Sequence, residues 1–293
     1  MERKLGIGTA QFGFDYGISN RAGKTSSSDV ARVLDLASQA GVRWLDTAPA
    51  YGVSEMVLGE MLRPSHRFRV TTKIPRMDNP RADPVKHLRN TFATSLLKLR
   101  HDELYGLLFH SSADLLGPSG KQLFAAATEL KQEKRVAKIG VSVYTAQEID
   151  AVCERFTIDL IQLPLSILDQ RLLASGHLNY LSSQGTEIHA RSIFLQGLLL
   201  MDPNDLDAQF DEVKRQLCRL REATSRSGTS LIVAALLFVC KLPEVSAAIC
   251  GVNSVAQLSE LLVDESSTTA EMDYSDFAVE DGSTLDPRFW NSR

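Results

Sequence analysis

The sequence predicts an α/β fold of the (β/α)8 TIM-barrel type. Short runs rich in leucine and β-branched residues alternate with longer helix-like segments along nearly the whole chain. Eight of these runs are apolar on both faces, which is typical of parallel strands covered by helices. The length of 293 residues is ordinary for such a barrel, which needs about 250 residues. Together, the alternation, the number of runs and the length favour a closed barrel over an open sheet.

The predicted strands are separated by segments with helical periodicity and helix-capping signals. The strands are residues 5–8, 42–46, 69–73, 104–110, 137–143, 160–163, 187–192 and 247–251. The helical segments are residues 26–41, 54–63, 83–99, 119–133, 145–155, 170–184, 205–226, 230–240 and 254–263. The serines before Asp29, together with Ser54 and Ser230, are predicted N-caps, and Gly41 and Pro243 mark helix ends.

The C-terminal segment differs in composition from the rest of the chain. No domain boundary is evident, so residues 1–293 are predicted to form a single domain. Residues 264–293 form a polar tail that ends in LDPRFW. Its aromatic pair, Phe289 and Trp290, either anchors the tail or folds it over the mouth of the barrel.

Composition excludes several classes of protein. The chain has 32 basic and 36 acidic residues, a net charge of −4, and no dense basic stretch for binding nucleic acid. The longest apolar run, residues 231–240, is about half the roughly 20 residues that cross a bilayer, and no signal-peptide pattern is present. The four cysteines lack metal-binding spacing. We expect a cytoplasmic protein with no bound metal and no nucleic-acid or membrane partner; its oligomeric state stays open.

Polar residues stand where three consecutive predicted strands end. Asp46, Lys73 and His110 end the second, third and fourth strands, and Tyr51 follows in the loop after the second. The carboxyl ends of the strands in such a barrel converge on one mouth, where active sites lie. We therefore expect all four side chains to face the same cavity.

These residue types form a set suited to delivering a proton to a carbonyl oxygen. A nearby ammonium stabilises a phenolate, so Lys73 is predicted to lower the pKa of Tyr51 and make it a better general acid. Asp46 supplies the counter-charge that a buried lysine needs. His110 is placed to donate a hydrogen bond to the carbonyl oxygen or to position the substrate.

The stretches LDTAPAYGVSEMVLG, TTK and LLFHSS give the chain a family resemblance. Their Asp, Tyr, Lys and His, in this order and context, resemble the aldo-keto reductase superfamily. The resemblance extends over nearly the whole chain. It implies catalytic roles for Asp46, Tyr51, Lys73 and His110, and a nicotinamide cofactor bound at the carboxyl ends of the strands.

The resemblance also implies a set of cofactor-binding positions. They are Gly8, Thr9, Asp46, Ser142, Gln162, Arg191, Leu195, Gln196, Gly197, Gly251, Asn253, Gln257 and Glu260. Arg191 stands where many members have an aromatic residue; it could stack on the nicotinamide, or bind a pyrophosphate or an anionic substrate. No basic residue lies between 251 and 261 to pair with a 2′-phosphate. NADP(H) is the implied cofactor, and NAD(H) stays open.

The predicted function is NAD(P)H-dependent reduction of a small aldehyde or ketone to the alcohol, with a sugar-derived compound as one option. Phe12, Phe14 and Tyr16, after the first strand, are candidates for the wall of the substrate pocket. Two alternatives remain. One is a cofactor-binding regulatory or partner module with little turnover. The other is a lyase that uses Lys73 to form a Schiff base.

Overall fold

Eight parallel strands close into one barrel, so the predicted fold is confirmed. The computed structural model describes residues 2–77, 83–265 and 272–290. The strands are β1 (Leu5–Gly8), β2 (Trp44–Asp46), β3 (Arg69–Ile74), β4 (Leu104–Phe109), β5 (Val136–Ser142), β6 (Leu160–Pro164), β7 (Glu187–Arg191) and β8 (Val245–Gly251). Each strand pairs with the next, and β8 pairs with β1 to complete the ring.

Helices alternate with the strands and cover the barrel. They are α1 (Ala10–Gly13), α2 (Ser27–Gln39), α3 (Ser54–Met61), α4 (Pro84–Leu99), α5 (Ser112–Leu116), α6 (Gly120–Gln132), α7 (Ala146–Cys153), α8 (Arg171–Ala174), α9 (His177–Ser183), α10 (Asp211–Arg226), α11 (Leu231–Cys240), α12 (Val255–Leu261) and α13 (Gly282–Leu285). The helix predicted over 170–184 is two helices, α8 and α9, because Gly176 adopts a φ of +78° between them. The helix predicted over 205–226 begins only at Asp211.

Two of the three predicted N-caps are confirmed. The Ser26 side chain accepts a hydrogen bond from the Asp29 N–H, and Ser230 accepts one from the Val233 N–H. Ser54 is not a cap: it is the first residue of α3, and its buried hydroxyl donates to the carbonyl oxygen of Thr9 at 2.9 Å. The tertiary contact therefore overrides the local capping preference at this position.

Apolar side chains from the helices and the outward faces of the strands form the main core. α11, which is apolar almost throughout, is buried against β8 in this layer. No single helix in the described part of the chain is long and apolar enough to cross a membrane; residues 208–226 and 231–240 qualify only as a pair, bent by 94°.

The described part of the C-terminal tail packs against the body of the barrel. The Val279 N–H donates to the carbonyl oxygen of Leu168 at 2.8 Å. The Trp290 ring meets Phe210 edge-on at 5.1 Å between centroids, whereas Phe289 is exposed. Of the predicted aromatic pair, Trp290 therefore anchors the tail. Residues 266–271 and 291–293 of the tail lie outside the described residues.

Candidate active site

The strand ends bring the predicted acid–base residues together. The Lys73 ammonium lies 2.6 and 2.7 Å from the two carboxylate oxygens of Asp46 and 3.2 Å from the Tyr51 hydroxyl oxygen. The His110 ring meets the Tyr51 ring edge-on at 6.0 Å between centroids. Strand register explains the arrangement, because Asp46 pairs with Thr71, two residues before Lys73, and side chains two apart on a strand share a face.

A close approach of α1 fixes the loop that carries Tyr51. A Cβ atom at Gly13 would lie 1.6 Å from the Tyr51 carbonyl oxygen, so only glycine fits there. Gly52 continues the loop with a φ of +59°. Ser54 links the loop to β1 through its contacts with the Thr9 carbonyl and hydroxyl oxygens at 2.9 and 2.8 Å. These contacts aim the Tyr51 side chain at Lys73.

Lys73 and Asp46 form a buried ion pair. The Lys73 side chain is 0% exposed and that of Asp46 is 6% exposed. The ammonium also donates to the Thr47 carbonyl oxygen at 3.1 Å, and Gln162 donates its amide N–H to Asp46 at 2.7 Å. Burial lowers the pKa of Lys73, and Asp46 opposes that effect. An amine held by these acceptors is not a free nucleophile, which argues against the Schiff-base alternative.

The pKa of Tyr51 departs from the sequence-based expectation. Burial and the Asp46 carboxylate raise it well above its ordinary value, with Arg191 opposing the rise. The predicted lowering by Lys73 is therefore wrong for this structure. The physical reason is that Asp46 neutralises the ammonium, so the phenol is left with the cost of losing its proton in a buried site.

His110 is held in its neutral form. Burial lowers its pKa to about 4, and the charges of Lys73 and Arg191 act in the same direction. A neutral imidazole keeps one N–H donor for a carbonyl oxygen. The residue comes one position after β4, and its backbone N–H donates to the Ile74 carbonyl oxygen at 3.0 Å, which continues the strand pairing.

A single cavity of about 780 Å³ lies at this mouth of the barrel. The predicted site residues that line it are Gly8, Thr9, Asp46, Tyr51, His110, Ser142, Gln162, Arg191, Gln196, Gly197, Gly251, Asn253, Gln257 and Glu260. Lys73 lies behind Asp46 and Tyr51 and does not line it. Leu195, one of the cofactor-binding positions that the resemblance implies, does not line the cavity, because its side chain is fully buried in the apolar core.

The polar groups at the strand ends differ in how many hydrogen bonds they form with the rest of the protein. Ser142 lines the cavity, and its hydroxyl has no hydrogen-bond partner among the residues that the structure describes. By contrast, the Thr9 hydroxyl donates to the Asp46 carbonyl oxygen at 2.9 Å. The Gln162 amide donates an N–H to Asp46, and its amide oxygen remains available to accept a hydrogen bond. Ser142 and Gln162 therefore each keep a polar group available to a bound ligand here.

The far end of the cavity is built by the β8–α12 connection and the loop after α1. The Asn253 amide donates to the Asn20 side-chain oxygen at 3.1 Å, and the Asn253 backbone N–H donates to Gln257 at 2.7 Å. Next to Asn20, Arg21 lines the cavity as an exposed cation that the sequence analysis missed. Glu260 lines the same cavity with the opposite charge.

Tyr144 and Arg288 also line the cavity, and the sequence analysis did not name either of them. Tyr144 follows the end of β5, and this position after a strand is the one sequence feature that indicates it. Arg288 lies in the LDPRFW segment of the tail, where no local sequence pattern marks a charged residue as part of a site. Of the aromatic candidates after β1, Tyr16 lines the cavity, Phe12 is buried in the core and Phe14 is partly exposed.

In the described ranges, no group of His, Cys, Asp and Glu side chains could hold a metal ion. The Asp46, Lys73, Tyr51 and His110 side chains form a cluster next to the cavity.

Comparisons with known proteins identify the family of this chain. The model of the aldo/keto reductase family matches residues 4–276. The chain is 26% identical over 296 residues to a D-threo-aldose 1-dehydrogenase from a Pseudomonas species, covering 87% of each chain. It is 24% identical over 269 residues to L-galactose dehydrogenase from Arabidopsis thaliana, covering 87% of this chain and 82% of the relative.

Solved structures agree on the fold. An aldo-keto reductase from Bacillus halodurans, in its holo form, matches with a TM-score of 0.69 at 23% identity, covering 88% of this chain and 85% of that one. Because the family model spans nearly the whole sequence and the relatives are oxidoreductases, we conclude that this chain is an oxidoreductase and belongs to the aldo/keto reductase family.

Proposed function

We propose that the protein is an NAD(P)H-dependent reductase that converts a small aldehyde or ketone to its alcohol, with Tyr51 giving the proton to the carbonyl oxygen. One observation carries the proposal. The Tyr51 hydroxyl lines a large cavity and lies 3.2 Å from the Lys73 ammonium, which is itself paired with the Asp46 carboxylate.

The electrostatics suit reduction. A raised pKa keeps the Tyr51 phenol protonated at neutral pH, and protonated phenol is the form that a general acid requires. When the proton leaves, the Lys73 N–H is in hydrogen-bond reach of the phenolate oxygen and stabilises its charge. Neutral His110 supplies an N–H that orients the carbonyl oxygen before transfer.

The residues around the cavity fit a nicotinamide cofactor. When bound, the cofactor supplies the hydride that reduces the carbonyl carbon. A carboxamide offers both donors and an acceptor, and the Ser142 hydroxyl and the Gln162 amide oxygen are complementary to it. Backbone at Gln196 and Gly197 has φ values of 55° and 92°, a left-handed turn of the kind that lets backbone approach phosphate closely.

The residues at the far end of the cavity, where the adenosine of the cofactor would lie, support NADPH as the cofactor, with NADH as the alternative. Arg21 lines that end of the cavity and offers a cation to a 2′-phosphate. Glu260 lines it as well, and a carboxylate favours the ribose hydroxyls of NADH. Both cofactors therefore belong in the first assay.

The names of the relatives suggest where to look for a substrate. One is a D-threo-aldose 1-dehydrogenase and another an L-galactose dehydrogenase. We infer that a polar, hydroxyl-bearing carbonyl compound of sugar type fits this site. The cavity supports that inference through the phenols of Tyr16, Tyr51 and Tyr144, which together line the reacting end.

The test is a single substitution with two readouts. Tyr51→Phe removes only the hydroxyl, so it should lower kcat by at least about 100-fold, in line with the loss of a general acid. The dissociation constant for NADPH, followed by its fluorescence, should change by less than about threefold. The assay follows NADPH and NADH absorbance against sugars, short aldehydes and aromatic aldehydes. Turnover in the Phe variant at the wild-type rate would rule out Tyr51 as the proton donor.

A further inference from the structure

Arg191 is a cation that faces the cavity without a carboxylate partner. Its guanidinium donates to the Val143 carbonyl oxygen and to the Ser192 hydroxyl, each at 3.1 Å, and packs on the Tyr144 ring at 4.0 Å from the centroid. Within residues 2–77, 83–265 and 272–290, no Asp or Glu forms an ion pair with it. A guanidinium has five N–H donors, so these two bonds leave donors for a ligand.

Arg288 provides an internal comparison because it packs on the same tyrosine ring. Its guanidinium lies 3.6 Å from the Tyr144 centroid, and it lines the same cavity. Asp286, however, accepts hydrogen bonds from it at both carboxylate oxygens, from Nε at 3.0 and 2.9 Å and from Nη2 at 2.6 Å, and Glu148 lies 3.9 Å away. The charge of Arg288 is therefore compensated by the protein, and that of Arg191 is not.

The remaining charges at the reacting end cancel. Lys73 is neutralised by Asp46 at 2.6 Å. His110 is neutral at physiological pH, since burial lowers its pKa to about 4. Tyr16 stays protonated, because burial raises its pKa to about 12. Arg191 thus gives this end of the cavity one positive charge that no neighbouring carboxylate among the described residues balances. A partly buried charge is stabilised by an opposite charge that hydrogen-bonds to it, so the site favours an anionic ligand.

We propose that Arg191 binds the anionic group, a carboxylate or a phosphate, of a carbonyl substrate whose reacting oxygen lies at Tyr51. This deepens the proposed function and rests on it. The position of the charge favours the substrate over the cofactor pyrophosphate. Arg191 acts electrostatically on Tyr51, Lys73 and His110, all at the reacting end.

The first measurement tests anion binding without turnover. Benzoate and its neutral isostere benzamide are titrated into the wild type, Arg191→Gln and Arg288→Gln, followed by ligand-observed NMR. Benzoate should bind the wild type at least about tenfold more tightly than benzamide, as expected for a hydrogen bond to a charged group. Arg191→Gln should abolish that preference, Arg191→Lys should keep part of it, and Arg288→Gln should change it less than about threefold. Equal affinity of the two compounds for the wild type overturns the proposal.

The second measurement uses matched substrates. One pair is D-glyceraldehyde 3-phosphate and D-glyceraldehyde; the other is 3-carboxybenzaldehyde and 3-nitrobenzaldehyde. Arg191→Gln should lower the ratio of kcat/KM for the anionic over the neutral member by roughly 10- to 100-fold, mainly through KM. The pair with the larger ratio in the wild type identifies phosphate or carboxylate as the preferred group.

Failure of this inference differs from failure of the proposed function. If Arg191 serves the cofactor instead, Arg191→Gln weakens NADPH binding and lowers kcat/KM equally for both members of a pair, which overturns the substrate assignment alone. If no aldehyde turns over with either cofactor, the reductase proposal fails, and the benzoate titration still decides whether Arg191 is an anion site.

Discussion

At Tyr51, the raised pKa leads to different pH dependences for the two directions of the proposed reaction. Reduction needs the protonated phenol, which persists through alkaline pH because burial and Asp46 raise the pKa. His110 stays neutral down to its pKa of about 4. We expect kcat/KM for reduction to be flat from about pH 5 to 9, and kcat/KM for alcohol oxidation to rise with pH over the same range because it needs the phenolate. An acid limb near pH 6.5 in the reduction profile would contradict the neutral state of His110.

The Lys73–Asp46 pair makes a prediction about stability. Lys73→Met leaves the Asp46 carboxylate, 6% exposed, without its counter-ion. The free energy of unfolding should fall by about 3–5 kcal/mol, as expected for breaking a buried ion pair. Lys73→Met combined with Asp46→Asn removes both charges and should recover much of that loss, although the double variant stays inactive. Urea denaturation measures both effects, with Tyr51→Phe as the control that keeps the pair. A double variant no more stable than Lys73→Met would contradict the electrostatic account.

At the scale of elements, the contact between α1 and the loop after β2 positions the proposed acid. A methyl group at Gly13 would lie 1.6 Å from the Tyr51 carbonyl oxygen, so Gly13→Ala must displace that loop. We expect kcat to fall by at least about tenfold, since small misplacements of catalytic groups are costly. Gly41→Ala is the matched control, because Gly41 has a φ of +82° but open space around it. Its strain should lower the melting temperature and leave kcat near the wild-type value.

Periodicity predicts the elements well where burial decides them. All eight strands occur where the alternation of apolar and helical segments predicts them. Asp46, Lys73 and His110, at or next to the ends of three of these strands, lie at the same mouth of the barrel. Boundaries shifted where a local signal competed with packing, as at Ser54, whose hydroxyl bonds Thr9 instead of capping α3. Sequence order cannot reveal such contacts between distant loops.

The site was predictable in its residue types and less so in its electrostatics. Asp46 and Lys73 could be paired from their strand positions, but the sign of the Tyr51 pKa depends on burial and on how completely one charge cancels the other. The stacking of Arg191 and Arg288 on Tyr144 joins three distant segments of the chain. Periodicity carries no information about such an arrangement.

At the scale of the whole molecule, a polar cluster links three strands of the barrel at the end opposite the candidate site. The Glu187 carboxylate accepts hydrogen bonds from Tyr105 of β4 and Lys138 of β5, each at 2.7 Å, and contacts His189 at 2.7 Å. Glu187 and His189 lie on β7, so the carboxylate ties β4 and β5 to a strand on the far side of β6. These bonds cross the barrel interior and support its closure.

The cluster predicts how the stability of the barrel depends on pH. Burial alone would raise the pKa of Glu187, but hydrogen bonds from His189, Lys138 and Tyr105 lower it to about 2. A carboxyl with a lowered folded-state pKa stabilises the fold above its unfolded pKa and loses that effect as pH falls toward the folded value. Glu187→Gln should therefore lower the free energy of unfolding by about 3 kcal/mol at pH 7, and the difference from the wild type should shrink between about pH 5 and pH 2. Urea denaturation at pH 7 and pH 3 measures this difference in the free energy of unfolding.

Glu129→Gln is the surface control, because it removes a carboxylate that is 56% exposed and paired with Arg89. It should cost less than about 1 kcal/mol at either pH. A Glu187→Gln difference that stays constant down to pH 3 would mean that the cluster stabilises the barrel through packing rather than through its charge.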